Sequence, residues 1–216
     1  MYQVVGVWKL VTVFATIAVA LGLLSHFVVP IDSILTALRR TSAAVSLSGV
    51  IVFLVGQTKA FPWLCTLPII KEVFPPLDGE WTGTFNTNFP QIAAAFEIDA
   101  QDAGEPVIAK FTFKARLLKV RLSSVSIEPK PGYMRSDTTA FSIIRCSDTD
   151  REIIRYVYDA FVGEPCESDV PSFYGAAKLT VLRDGDDLVL EGNYWTDRSW
   201  QKGHNTAGSL RLARVA

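Results

Sequence analysis

The sequence predicts a two-helix transmembrane hairpin followed by an all-β domain, an up-and-down antiparallel β-barrel of eight or nine strands. Three observations carry this. Two uncharged apolar runs lie close together near the N-terminus. Pro68, Pro75 and Pro76 then interrupt any helix and make a stiff connector. Beyond them come short segments of alternating apolar and polar residues, rich in β-branched and aromatic side chains and separated by turn signals. The expected organisation is 1–70 for the hairpin, with spans at about 8–29 and 41–64, 71–78 for the connector, and 79–216 for the barrel.

The first run, Leu10 to Val29, has 20 residues without Asp, Glu, Lys or Arg, and only His26 dilutes it. That length matches the roughly 20 residues a helix needs to cross the hydrocarbon core. Ala18-Val19-Ala20 has the look of a signal-peptide cleavage site, but the apolar run continues past it and is long for a signal core. The second run, Thr41 to Thr58, adds 18 uncharged residues and is extended past Lys59 by Ala-Phe-Pro-Trp-Leu. Trp8 and Trp63 sit at the outer ends, where interfacial aromatics prefer to lie. Charge counting leaves the orientation open: Lys9, Lys59 and Lys71 stand on one side, Arg39 and Arg40 on the other.

In the β-domain, strands are expected near 79–88, 92–100, 106–114, 116–126, 138–146, 151–161, 174–182, 187–196 and 206–214. "DAGEP", "KPGY", "SDTD" and "RDGDD" supply turns. A meander of hairpins closes most readily as an up-and-down barrel, which also removes edge strands. A barrel of eight strands encloses room for one small ligand. The inner faces are therefore the place to look for function.

Composition excludes several classes. Residues 71–216 carry 17 basic and 21 acidic side chains, so long DNA or RNA is not an expected partner. Cys65, Cys146 and Cys166 form neither a disulfide framework nor a CxxC zinc motif. No glycine-rich phosphate loop or GxSxG is present. His204 lies in a Gly/Asn-rich turn, a poor place for a rigid base. Neither a metal, nor a cofactor, nor an enzymatic activity is expected.

Strand alternation groups the inward residues. Trp81, Gly83 and Phe85 share a face, as do Ile154, Tyr156 and Tyr158, and Leu122, Ser124 and Ser126. Leu190, Gly192, Tyr194, Thr196 and Arg198 form a fourth set. These sets run from apolar to polar, as a cup with a packed base and a polar mouth would. The stretch "EGNYWTDRSWQKGHNTAG" contributes a ring for stacking at Tyr194, a hydroxyl at Thr196 and, at Arg198, a planar fork suited to phosphate. Trp81 serves either a ligand or the closed end of the barrel, where Arg198 or Arg211 would meet it. Tyr156 and Tyr158 are equally open to both uses, and Ser124 and Ser126 form a polar wall or simply fill their strand. The candidate ligand-binding set is Trp81, Ser124, Ser126, Tyr156, Tyr158, Tyr194, Thr196 and Arg198. Arg121, Arg145, Arg155 and Lys202 are candidates for additional rim charge.

The two membrane helices, the proline-rich connector, "LDGEWTGTF", "IRYVYDAF" and "LEGNYWTDRSWQKGHNTAGSLRL" together resemble one family over essentially the full length. It is the CD-NTase-associated, membrane-disrupting effectors of CBASS, the bacterial cyclic-oligonucleotide-based anti-phage system. Ser124 and Ser126 match that family's serines after the fourth strand. "QKGHNTAG" is longer than the family's simple Thr-Gly turn, so Lys202 and His204 are not carried over. The resemblance implies an antiviral sensor in which a cyclic dinucleotide, made by a partner nucleotidyltransferase, enters the barrel. The spans then assemble as a homo-oligomer in the lipid bilayer and disrupt the inner membrane, causing cell death or growth arrest. It also implies a multi-pass protein of the bacterial inner membrane with its barrel facing the cytoplasm. The competing expectation is a membrane-anchored, lipocalin-like carrier of a lipid or other apolar molecule, whose pocket would be apolar to its mouth. A third, a structural adaptor, would fill the barrel with bulky side chains.

Overall fold

The computed structural model of the chain describes residues 7–28, 33–71, 74–98, 106–127, 133–146, 148–149, 151–165, 169–184 and 187–215. Most of the four predicted turn motifs and Cys166 lie outside the described residues. The chain forms two compact units, Met1–Pro76 with Ala115–Lys119, and Leu77–Lys114 with Val120–Ala216.

In the helical unit, α1 (Val7–Val28) and α2 (Ile34–Gln57) are each long and apolar enough to cross a membrane. None of the Leu10–Phe27 window is buried in the protein, unlike the core helix of a soluble domain. The second helix begins earlier than the uncharged run suggests. Ser33 caps it, its hydroxyl accepting from the Thr36 amide at 3.2 Å, so Arg39 and Arg40 lie inside the helix. It also ends earlier. Pro62 has no amide to give the Thr58 carbonyl, so the α-helical ladder cannot run through it, and Thr58 turns extended. The predicted 41–64 span is thus the end of α2 followed by a separate short helix, α3 (Ala60–Leu64); α4 (Pro68–Lys71) follows. Within the pair, Ala44 and Ser48 are buried, and the Ser48 hydroxyl returns to the Val45 carbonyl at 2.7 Å.

The second unit is a closed antiparallel barrel. Its strands are β1 (Gly79–Thr87), β2 (Val107–Ala115), β3 (Val120–Ser126), β4 (Met134–Arg145), β5 (Glu152–Val162), β6 (Ser172–Asp184), β7 (Asp187–Thr196) and β8 (Ala207–Arg214). They follow one another around the ring in chain order, and β8 closes on β1 with Trp81 opposite Arg214 and Phe85 opposite Leu210. Among the described residues there are eight strands, not nine. The expected strand at 92–100 is instead a helix, α5 (Phe89–Phe96), with residues 99 and 100 outside the described set. Pro90 suits a first helical turn, and three consecutive alanines favour the helix. Phe89, Ile92, Ala93 and Phe96 recur at the helical rather than the strand period.

The inner face is layered. At the base, Trp81, Phe113, Leu122, Ile154, Leu179, Leu190 and Leu212 are each 2% exposed or less. Burial of each such side chain is worth about 1.5–3 kcal/mol. The Trp81 indole N–H, the one polar atom Trp81 brings there, donates to the Leu77 carbonyl at 2.9 Å. Small residues also face the interior: Gly83, Ala109 and Ala177 are buried and Gly192 is half-buried. At Gly192 the strands approach so closely that a β-carbon would stand 1.9 Å from the Lys178 carbonyl oxygen, which only glycine permits. The highest level surrounds a cavity.

Candidate functional site

The cavity has a volume of about 250 Å³ and opens at the end of the barrel away from Trp81. Aromatic and aliphatic side chains form most of its wall: Phe85 from β1, Val107 from β2, Met134 from β4, Phe173 from β6, and Phe89 and Ile98 from α5 and its C-terminal end. Hydroxyls come from Thr87, Ser126, Tyr158, Tyr194, Thr196, Ser199 and Thr206. Its charged residues are Asp169 and Arg198, with His204 beside them. Among the described residues no group of three or more His, Cys, Asp or Glu is placed to hold a metal ion.

Of the eight residues proposed from the sequence, five line this cavity: Ser126, Tyr158, Tyr194, Thr196 and Arg198. Tyr194 stands edge-on to Phe85, their ring centroids 5.1 Å apart, so aromatic faces and edges meet at one place. Burial raises the pKa of both Tyr158 and Tyr194 above the ordinary phenol value. For Tyr158 the neighbouring Tyr194 adds to this; for Tyr194 the Thr87 hydroxyl and the Arg198 charge partly oppose it. Both therefore remain neutral hydroxyls able to donate. The Tyr158 ring lies over Gly175, where a β-carbon would stand 2.2 Å from it.

The other three residues occupy lower levels. Trp81 is a base residue, packed edge-on against Phe113 with centroids 5.5 Å apart and with Arg214 over its ring. Tyr156 is buried between Phe141 and Tyr158. Ser124 shares a 2.7 Å hydrogen bond with Ser136. None of the three lines the cavity. Alternation places all of them inward, as expected, but it does not report the height along the barrel axis. Arg121, Arg145, Arg155 and Lys202 are exposed, and none lines the cavity either.

Several mouth hydroxyls already have work to do. The Ser126 hydroxyl donates to the Met134 carbonyl at 3.2 Å and accepts from the Met134 amide at 3.1 Å, replacing a ladder pair. The Thr196 hydroxyl accepts from the amides of Arg198 and Thr206, both at 3.3 Å, and pairs with the Thr206 hydroxyl at 2.9 Å. Thr196 thus holds the ends of the 197–205 turn together. That turn carries Ser199 in the left-handed region (φ 49°) and places His204 edge-on against Phe96, centroids 4.5 Å apart.

Arg198 is not a free fork. Its Nε donates to Asp169 Oδ1 at 2.8 Å and a terminal nitrogen engages Oδ2, a bidentate pair, while its guanidinium lies 5.3 Å from the Phe173 ring centre. Asp169 was not foreseen. It stands 29 residues before its partner, in a segment with no periodic pattern, and only the fold brings them together.

No protein-family model matches the chain. The chain is similar to a CD-NTase-associated protein. CD-NTase-associated protein 15 of Escherichia albertii is 23% identical over 179 residues, covering 82% of this chain and 81% of that protein. The matched length exceeds that of the barrel unit, so the likeness takes in part of the helical unit as well.

Proposed function

We propose that this chain is a CBASS effector that binds a cyclic dinucleotide in the mouth of its barrel, assembles through its two apolar helices and disrupts the bacterial inner membrane. The observation that carries the reading is the joining of aromatic rings to a guanidinium in one cavity. Rings stack on bases and a guanidinium pairs with phosphate. The likeness to a CD-NTase-associated protein over both units supports a partner nucleotidyltransferase as the source of the ligand. A messenger made in the cytosol requires a barrel facing the cytoplasm. The role is binding rather than catalysis: Asp169 engages Arg198 and the His204 ring packs on Phe96, an arrangement for holding and not for relaying a proton.

The cavity, at about 250 Å³, falls just below the roughly 300–1,000 Å³ of ordinary ligand sites. Its mouth is bordered by α5 and the 197–205 turn. The largely apolar wall favours a second reading, a carrier of a lipid or other apolar molecule; the charged pair at the mouth opposes it.

Thermal unfolding of the full chain in detergent micelles separates the two. A cyclic dinucleotide that binds the native state raises the melting temperature. A panel of cyclic oligonucleotides without effect, beside fatty acids that do stabilise, decides for the carrier. For assembly, Gly22 of α1 is the informative position, since a β-carbon there meets nothing within 4 Å. Small residues allow close helix approach in lipid. Gly22→Leu, whose β-carbon meets no neighbour in the hairpin, is expected to reduce crosslinked oligomers and toxicity while sparing ligand affinity; unchanged oligomers and unchanged killing overturn that face as the interface.

A further inference from the structure

The cavity contains a contradiction for an anionic ligand. Its guanidinium is already neutralised, fork to fork, by a carboxylate from the same wall. Both residues have contacts besides the pair itself, and the guanidinium rests near Phe173. Asp169 Oδ1 accepts from the Val170 amide at 2.8 Å, and the Arg198 amide is tied to the Thr196 hydroxyl. The Asp169 side chain is 9% exposed and that of Arg198 29%, so the pair is set into the wall rather than waving in solvent. A carboxylate and a phosphate present the same two-oxygen edge to a guanidinium.

We propose that Asp169 is a resident counter-ion occupying, in the empty barrel, the place on Arg198 that a ligand phosphate takes on binding, so that the pair acts as a latch on the cavity. This deepens the reading above and rests on it. A phosphate that captures Arg198 leaves the largely buried Asp169 carboxylate without its cation, a cost subtracted from every binding event. Asp169 thereby sets the threshold. A ligand must replace the whole bidentate pairing and add stacking on Tyr194 and Phe85 to bind with net gain. A lone phosphate or an uncharged nucleoside supplies only one of the two.

The test uses the full chain in micelles, with a panel of cyclic dinucleotides built from the four ribonucleosides and with inorganic phosphate. Asp169→Asn keeps the acceptor for the Val170 amide and removes the charge. It is expected to lower the melting temperature of the empty protein and yet tighten the cyclic dinucleotide by about tenfold or more. A residue with only a structural role would lose stability and affinity together. Inorganic phosphate is expected to stabilise Asp169→Asn and leave wild type unchanged. Asp169→Asn with unchanged or weaker affinity, in a protein whose wild type binds, overturns the latch alone. No binding by either protein overturns the proposed ligand class and the latch with it. A second readout needs no charge variant. In wild type labelled with ¹⁵N-arginine, the Nε–H signal that Arg198→Lys removes must shift when the cyclic dinucleotide is added. A signal that stays in place while the ligand binds overturns the exchange.

Discussion

The two ends of the barrel obey the same alternation and do opposite things with it. At the base, the inward positions around Trp81 carry mostly large apolar side chains, and the indole N–H is paired within the protein. At the mouth, inward positions carry rings with hydroxyls, threonines and an ion pair, and space is left over. The difference teaches that facing inward is a property of the strand period, whereas lining a site is a property of height. Height is fixed by which residues pair across strands, as in Phe85 with Leu210 or Tyr194 with Gly208.

The sharpest way to break this contrast is Trp81→Ala. It should cost about 3–5 kcal/mol of stability, from the lost ring and the cavity it leaves. Denaturant titration measures it, and any ligand affinity should persist in the folded fraction. A folded Trp81→Ala protein that cannot bind would move the site down to the base. At the mouth the balance reverses. Tyr194→Ala and Arg198→Ala should each weaken cyclic-dinucleotide binding by about 1–3 kcal/mol. Only the arginine change should also flatten the dependence of affinity on salt, as titrations at several ionic strengths would record.

Gly175→Ala probes the wall behind Tyr158. Its methyl group must displace the Tyr158 ring, at an expected cost of about 1–2 kcal/mol in stability. Calorimetric unfolding checks this, and a neutral result would mean that the ring moves freely into the cavity. The smallest effect near neutrality concerns pH. Burial raises the pKa of Tyr156, Tyr158 and Tyr194, so the folded state holds these phenol protons more tightly than the unfolded state does. Their contribution is complete below the unfolded value of about 10 and is lost as pH rises past it. Stability should therefore be insensitive to them from pH 6 to about 9 and fall above 10. Tyr156→Phe should lessen the alkaline loss in equilibrium unfolding.

What the sequence disclosed follows the same division. Uncharged length announced both apolar helices, and alternation announced the inward sets of β1, β3, β5 and β7. The start of α2 was hidden because counting uncharged residues stops at Arg39 and Arg40, through which a helix capped by Ser33 runs unhindered. The helix α5 was hidden because a segment of eight residues between two strands was read at the strand period, against its alanines and Pro90. Trp81, Tyr156 and Ser124 face inward, as alternation has them, but lie outside the cavity, because height along the barrel depends on register, a long-range property. Asp169 left no local signal at all. Its meaning is a distance to Arg198 that exists only after β6 and β7 have paired.

The closure of β8 onto β1 also bears on time. The ring joins the first strand made to the last, a contact of high sequence separation whose loop entropy must be met before any pairing rewards it. Phe85 and Thr206, on adjoining walls of the cavity, belong to those two ends of the synthesis. Until β8 has left the ribosome there is no cup to fill. The apolar helices are made first, and for the seconds that translation takes they exist without a closed barrel. Under the proposed function, this order of assembly keeps the helices silent during the protein's own birth.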